Sequence, residues 1–135
     1  SFLAVNDEEA GLLAGISFKK GEEACKKLGK IARGVVAVTS GPKGVVVSDG
    51  QFIYKAGIFK EKKLVDRTGA GDAFASGFVA GLINKNDILY AIRLATANAT
   101  ATVEELGATE GLLEKGEFEK SARFRNLKIT KEKIR

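Results

Sequence analysis

The stretch that decides the fold of this chain is Asp66-Arg67-Thr68-Gly69-Ala70-Gly71-Asp72-Ala73-Phe74. It follows the apolar, strand-like pair Leu64-Val65 and precedes an apolar helical pattern over residues 73–83. Two glycines between a strand and a helix predict a sharp turn into the helix N-terminus. The first N–H groups of a helix have no partner inside it and carry partial positive charge. The turn therefore predicts a site for an anion such as phosphate.

Asp72 adds a carboxylate to this turn. A lone carboxylate is poorly suited to binding a phosphate, but it is well suited to deprotonating a hydroxyl group that attacks one. Aspartate is also a common capping residue at helix N-termini, so a purely structural role is the alternative. The turn by itself leaves both interpretations open.

Residues 69–78 resemble the glycine turn and the following helix of the ribokinase-like (PfkB) family of carbohydrate and nucleoside kinases. Further motifs of that family occur along the chain in the family's order. They are Asn-x-x-Glu at residues 6–9, Thr-x-Gly-x-x-Gly at 39–44, a small-residue helix at 95–101, and a loop with Gly107 and Ala108. The matches extend over about residues 3–111, and their order makes them more specific together than any one motif alone.

The resemblance implies ATP-dependent transfer of a phosphoryl group to a hydroxyl of a sugar or sugar acid. Asp72 would be the general base. The backbone N–H groups of Ala70, Gly71 and Asp72, in the turn that begins at Gly69, would stabilise charge on the transferred group. Arg67 stands where the family usually has a small or β-branched residue. We interpret it as a substrate contact that favours a keto-sugar acid, the alternative being an arginine directed into solvent.

The Asn-x-x-Glu motif is interpreted through the same resemblance. Asn6 and Glu9 would help to order Mg²⁺ and the ATP phosphates, with Glu9 acting through water because magnesium keeps several of its waters in proteins. Both residue types are also common in the first turn of a helix, where they form a capping box. That structural interpretation is the alternative for this motif.

The resemblance places ATP against two more segments. Thr39, Gly41, Lys43 and Gly44 would lie near its phosphates, the alternative being a plain hairpin turn. Asn98 would lie on a helix that forms one wall of the adenine site. The alternative is a helix packed closely on its neighbour, with Asn98 at a polar edge.

A set of positions corresponds to those that hold a monovalent cation in several members of the family: Asp66, Thr68, Thr102 and Gly107. The resemblance therefore extends to a K⁺ site. Glu105 stands where some members have a basic residue, so activation by K⁺ is left open.

Composition excludes several other classes of protein. The chain has no histidine, which excludes a Ser–His dyad, and Cys25 is its single cysteine, which argues against a disulfide or a metal site. The net charge is +5, but lysines alternate with glutamates in residues 19–30 and 114–135, as on solvated faces. We therefore predict no nucleic-acid partner. No apolar run approaches membrane-spanning length, so no membrane partner is predicted either.

The chain has 135 residues, fits one domain and contains no methionine. Members of the family are longer, and the matched motifs belong to their C-terminal half. We expect residues 1–135 to be the C-terminal, nucleotide-binding and catalytic part of a PfkB-type kinase domain, without the N-terminal half that carries most of the sugar pocket and the lid. A cytoplasmic location and a small-molecule partner are expected, and a homo-oligomer is left open. The alternatives are a nucleoside kinase or, if this chain is the whole protein, a non-catalytic nucleotide-binding module.

Alternating strand and helix patterns predict an α/β layer fold with a mostly parallel sheet and a local antiparallel hairpin portion. The resemblance implies that this fold is the C-terminal half of the ribokinase-like, Rossmann-type layered fold. The predicted strands are residues 2–5, 35–39, 45–48 and 51–56. The predicted helices are residues 7–15, 20–32, 70–83, 87–106 and 113–124. In the second helix the predicted core stripe is Ala24, Leu28, Ile31 and Ala32.

Overall fold

The computed structural model describes residues 1–59, 69–104 and 115–134, with only the backbone described for residues 115–117. The chain divides into two compact units. The first, here called the sheet unit, is Ser1–Gly57 together with Lys128–Arg135. The second, the helical unit, is Ile58–Leu127.

The sheet unit begins with alternating strands and helices and continues into antiparallel strands. Its elements are β1 (Phe2–Asn6), α1 (Asp7–Ala14), α2 (Gly21–Ile31), β2 (Val35–Thr39), a 3₁₀ turn (Gly41–Lys43), β3 (Val45–Ser48), β4 (Phe52–Ala56) and β5 (Ile129–Lys133). The strands and helices predicted in this part of the chain are confirmed to within a residue or two. β5 is not among the strands predicted from the sequence, which assigned this segment to a solvated face. Its residues are mostly polar, and they form a strand by pairing with β4.

The described strands form one five-stranded sheet in the order β1-β2-β3-β4-β5. β1 and β2 are parallel, and α1 and α2 form the crossover between them. The other described pairs, β2–β3, β3–β4 and β4–β5, are antiparallel. The α/β class is confirmed. The described sheet is nevertheless mixed rather than mostly parallel, because short turns connect β2 to β3 and β3 to β4, and such turns can join only antiparallel strands.

α1 and α2 bury small apolar side chains against one face of the sheet. The core cluster consists of Ala10, Ala14, Ala24, Cys25, Leu28, Val36, Val38 and Ile53. Ile31 is a correction to the predicted stripe, since it is 68% exposed at the last residue of α2. Gly29 is buried instead, and a Cβ built there would lie 2.5 Å from Ser48 Oγ. Compared with the predicted stripe, the buried side of α2 therefore includes Cys25 and Gly29 and leaves out Ile31.

The described residues of the helical unit form two long helices and a shorter C-terminal segment. Its elements are α3 (Ala70–Lys85), α4 (Ile88–Val103), α5 (Lys115–Lys120) and a 3₁₀ turn (Ala122–Phe124). The predicted helices at 70–83 and 87–106 are confirmed in position, and the described part of 113–124 is a short helix followed by the 3₁₀ turn. Leu64 and Val65 lie outside the described residues. None of the helices in the described stretches combines the length and apolar character needed to cross a membrane.

α3 and α4 pack closely because glycines of α3 face alanines of α4. A Cβ built on Gly77 would lie 2.9 Å from Ala95 Cα, and one built on Gly81 would lie 2.6 Å from Ala91 Cα. Both distances are shorter than van der Waals contact. A larger residue at either glycine would therefore require one helix backbone to move.

Aromatic side chains connect α4 to the C-terminal segment of the helical unit. Tyr90 meets Phe118 edge to face, with ring centroids 5.7 Å apart, and Phe118 stacks on Phe124 at 6.4 Å. Arg123 donates hydrogen bonds of 2.8 Å to both carboxylate oxygens of Glu104, the residue that follows α4. This bidentate pair ties the end of α4 to the 3₁₀ turn.

Candidate active site

The first turn of α3 is the centre of the candidate site. Gly69 precedes the helix in the left-handed conformation, with φ 87° and ψ −5°, where side chains are disfavoured. The Ala73 N–H donates to the Gly69 carbonyl at 2.9 Å. The N–H groups of Ala70, Gly71 and Asp72 therefore precede the first intrahelical hydrogen bond, and Gly69 has no side chain that could accept from them. Such a helix start is suited to an anion.

This turn is open where a ligand would approach it. Gly71 and Asp72 are both exposed. A Cβ built on Gly71 would meet no heavy atom within 4 Å in the described structure beyond the neighbouring helix backbone. Packing of the described residues therefore does not require glycine at this position, and its absent side chain leaves the backbone accessible among them. The turn offers hydrogen-bond donors and, at Asp72, a proton acceptor.

Asn98 lies inside the interface between α3 and α4. It is 1% exposed, and its Nδ2 donates a hydrogen bond of 2.7 Å to the Ala73 carbonyl. The close packing considered as the alternative for this helix is therefore present, but Asn98 is not at a polar edge. Its amide contacts the residue that follows Asp72.

Several predicted site residues lie outside the described residues, namely Asp66, Arg67, Thr68 and Gly107. Of the positions predicted to hold a monovalent cation, the structure describes Thr102, which is buried near the C-terminus of α4. The cation site and the Arg67 contact remain predictions.

Asn6 and Glu9 form a capping box at the start of α1. The Glu9 N–H donates to Asn6 Oδ1 at 2.8 Å, and the Asn6 N–H donates to Glu9 Oε1 at 2.9 Å. The structural interpretation of this motif is thus present in the fold. It does not exclude a ligand role, because both residues are exposed and the cap uses one of the two carboxylate oxygens of Glu9.

Thr39 ends β2 beside the end of β1. It lies opposite Asn6 in the parallel register, and its Oγ1 donates a hydrogen bond of 3.5 Å to the Val5 carbonyl. Ligands of open α/β sheets bind outside the carboxyl ends of parallel strands. The sheet unit therefore brings the Asn-x-x-Glu and Thr-x-Gly-x-x-Gly motifs together at the edge of the sheet where ligands are expected.

The turn after Thr39 depends on glycine conformations. Gly41 has φ 53° and Gly44 has φ 101°, both in the region that side chains disfavour. Gly44 is buried against the Ala56 carbonyl, which leaves no room for a Cβ, whereas Gly41 and Lys43 are exposed. Gly44 therefore shapes the turn, while Gly41 and Lys43 are accessible to a ligand.

The described residues include no cluster of metal-binding side chains, and the thiol of Cys25 is buried. Across residues 1–59, 69–104 and 115–134, no three side chains of the metal-binding types are grouped so that they could hold a metal ion. Cys25 is buried, and burial raises the pKa of its thiol to about 12. A neutral, enclosed thiol is neither a nucleophile nor a metal ligand.

Comparison with known proteins identifies the family. The family model described as pfkB family carbohydrate kinase matches residues 1–115. The chain belongs to this family. It is 37% identical over 91 residues to the fructosamine kinase of Bacillus subtilis, which covers 64% of this chain and 32% of that protein. It is 35% identical over 103 residues to the cytidine kinase of Thermococcus kodakarensis, covering 76% of this chain and 36% of that protein.

Solved structures of pfkB-type kinases share the fold. The ribokinase of Thermotoga maritima aligns with a TM-score of 0.78 at 30% identity, covering 93% of this chain and 42% of that one. The predicted ribokinase-like fold is therefore confirmed. The chain spans about a third of the length of the two curated relatives named above.

One contact at the site of this pfkB-family chain was not visible in the sequence. The bond between Asn98 and Ala73 joins two helices, and the residues around Asn98 are uniformly small. Because alanine and threonine are tolerated on either side of a helix, no periodic pattern shows which side of α4 faces α3.

Proposed function

We propose that this chain carries the nucleotide-binding and phosphoryl-transfer residues of an ATP-dependent kinase that acts on a hydroxyl of a sugar or sugar acid. The observation that carries the proposal is the first turn of α3, which follows the N-cap residue Gly69. This turn contains both the exposed carboxylate of Asp72 and the first N–H groups of the helix. Membership of the pfkB family supports it.

In this proposal Asp72 is the general base. Its carboxylate takes the proton of the substrate hydroxyl while that oxygen bonds to the terminal phosphorus of ATP, and the bond from phosphorus to the departing ADP oxygen breaks. Negative charge on the transferred group would face the N–H groups of Ala70, Gly71 and Asp72. Gly69 is the N-cap in the left-handed conformation, so that the helix begins at Ala70.

The sheet unit would bind the nucleotide phosphates. The exposed Gly41 and Lys43 and the hydroxyl of Thr39 are the proposed contacts, with Gly44 holding the turn in shape. Mg²⁺ would neutralise phosphate charge when bound. A single exposed carboxylate at Glu9, oriented by Asn6, fits a magnesium ion that keeps its waters and contacts the protein through them.

The class of the phosphoryl acceptor is proposed from Arg67 and from the relatives of the chain. Arg67 would favour an acidic sugar by pairing with its carboxylate. The fructosamine kinase relative supports a sugar acceptor, and the cytidine kinase relative supports the second candidate, a nucleoside kinase. If the enzyme is activated by a monovalent cation, the proposed K⁺ site consists of Asp66, Thr68, Thr102 and Gly107.

The test is ADP release by the natural full-length protein with ATP and Mg²⁺ over a panel of neutral sugars, sugar acids and nucleosides. We expect turnover on the order of 1–100 per second with a sugar or sugar acid. Turnover with nucleosides alone would replace the first candidate by the second. ATP binding in calorimetry without turnover on any acceptor would overturn the kinase proposal in favour of a nucleotide-binding module.

A further inference from the structure

The side chain of Asn98 joins the middle of α4 to the first turn of α3. Its Nδ2 donates a hydrogen bond of 2.7 Å to the Ala73 carbonyl, and the residue is almost fully buried. Ala73 directly follows Asp72, and its own N–H donates to Gly69. A single buried amide therefore holds the residue next to the proposed base.

The surroundings of Asn98 leave its side chain little freedom. A Cβ built on Gly77 would lie 3.2 Å from the Asn98 Cβ and 2.9 Å from the Ala95 Cα, so the two helices are nearly in backbone contact. A buried amide is costly unless it is hydrogen-bonded. Sliding α3 along α4 would break the bond to Ala73, so the bond favours one axial position of α3.

We propose that Asn98 is a positioning residue for phosphoryl transfer. It sets the position of the first turn of α3, and through that turn the position of Asp72 and of the N–H groups of Ala70 and Gly71. This inference rests on the proposed function of that turn. Asn98 itself touches neither substrate nor nucleotide in this role. Transfer needs reacting groups in near-contact alignment, and a misplacement of about 1 Å costs about a hundredfold in rate.

The positioning role makes a different prediction from an adenine contact. A side chain that binds adenine stabilises ATP equally in the ground and transition states, so its loss raises the KM for ATP with kcat nearly unchanged. A side chain that aligns the base and the N–H groups acts on the transition state. Its loss lowers kcat and leaves the KM for ATP nearly unchanged.

Two variants of the full-length protein test this role against a matched control. Asn98→Leu keeps the size of the side chain and removes the amide. Asn98→Ser has a side chain too short to bond to the Ala73 carbonyl, and it does not crowd the interface between the helices. It replaces the leucine variant in the test if that variant does not fold. Thr100→Val is the control, because Thr100 is equally buried on α4 but its Oγ1 donates to the Thr96 carbonyl of the same helix, at 2.8 Å.

The measurements are kcat, the KM for ATP, and amide hydrogen exchange over residues 73–77, the first amides of α3 that donate hydrogen bonds within the helix. We expect the Asn98 variants to lower kcat by about tenfold or more, to change the KM for ATP by less than about threefold, and to speed exchange at these amides. Thr100→Val should change none of the three. A raised KM with normal kcat would overturn the positioning role in favour of an adenine contact.

The exchange measurement separates this inference from the proposed function. If the unmodified protein transfers no phosphate, the kinase proposal has failed, and faster exchange in the Asn98 variants alone would still support the positioning bond. Unchanged exchange over residues 73–77 in a folded Asn98 variant would overturn it, whatever the activity.

Discussion

Asn6 and Thr39 lie opposite each other at the carboxyl ends of the two parallel strands β1 and β2. This register sets the capping box of α1 beside the glycine turn that follows β2, although the two are far apart in the chain. The crossover through α1 and α2 makes the pairing parallel, and parallel strands end at the same edge of a sheet. The two motifs expected to meet the nucleotide phosphates therefore form one surface of the sheet unit.

Replacing Asp72 by asparagine should lower kcat by about 10²–10⁴-fold, because the amide cannot accept the hydroxyl proton. ATP affinity should change little, since a base acts mainly in the transition state. Steady-state kinetics and calorimetry of the full-length protein measure both quantities.

Asp87→Asn is the matched control for this variant. Asp87 caps α4 by accepting a hydrogen bond from the Leu89 N–H at 2.9 Å, and asparagine caps helices equally well. We expect no change in kcat. An Asp72→Asn enzyme that retains more than about a tenth of the normal kcat would remove Asp72 from the role of base.

Replacing Gly71 by valine should weaken ATP binding and abolish turnover. The position has room for a side chain in the described structure, so the fold should persist, and the branched Cβ would occupy the space through which a phosphate approaches the backbone. Ser76→Val puts the same side chain at an exposed position further along α3 and should be nearly silent. Unchanged ATP affinity in Gly71→Val would rule out a phosphate site at this turn.

Breaking the pair of Arg123 with Glu104 should destabilise the protein by about 1–3 kcal/mol, as for hydrogen bonds between charged groups. The side chains are only 25% and 12% exposed, and the hydrogen bond to Glu104 raises the pKa of Arg123. A double-mutant cycle of Arg123→Met and Glu104→Gln, followed by urea unfolding, measures the coupling.

The exposed pair of Lys20 with Glu23, at 4.0 Å, is the control for that cycle and should show almost no coupling. Equal coupling energies in the two pairs would mean that burial and bidentate geometry add nothing to the pair of Arg123 with Glu104.

The buried thiol of Cys25 should make stability fall at alkaline pH. Burial raises its pKa from 9.0 to about 12. Below pH 9.0 the thiol is neutral in both the folded and the unfolded state, and its contribution to stability is fully present. As the pH rises from 9.0 toward 12, the thiol ionises in the unfolded state but not in the folded state, so this contribution is lost. Relative to Cys25→Ala, the protein should lose roughly 1.4 kcal/mol of stability for each pH unit between pH 9.0 and about 12. The free energies of unfolding of both proteins between pH 7 and 11 provide the measurement. A difference that does not change with pH would contradict the prediction.

Elements with local signals were predictable from the chain itself. Three such elements are made by residues close in sequence, and they can be predicted without knowing distant partners. They are the turn at Gly69, the capping box of Asn6 with Glu9, and the hairpin turn at Gly44. The apolar run of β2 predicted a buried strand for the same reason. The proposed chemistry of Asp72, by contrast, came from the order of motifs along the chain, since one aspartate in a turn does not distinguish a base from a cap.

Only the tertiary structure decided features that depend on partners far away in the chain. β5 is a strand because its backbone pairs with β4, although its side chains are mostly polar. Ile31 is exposed at the end of α2, and Gly29 is buried against Ser48 instead. Asn98 faces Ala73 because the glycines of α3 let the helices approach until a buried amide can reach across. Sequence periodicity reports how apolar each side of a helix is, and it does not report which neighbouring backbone comes close enough to bond.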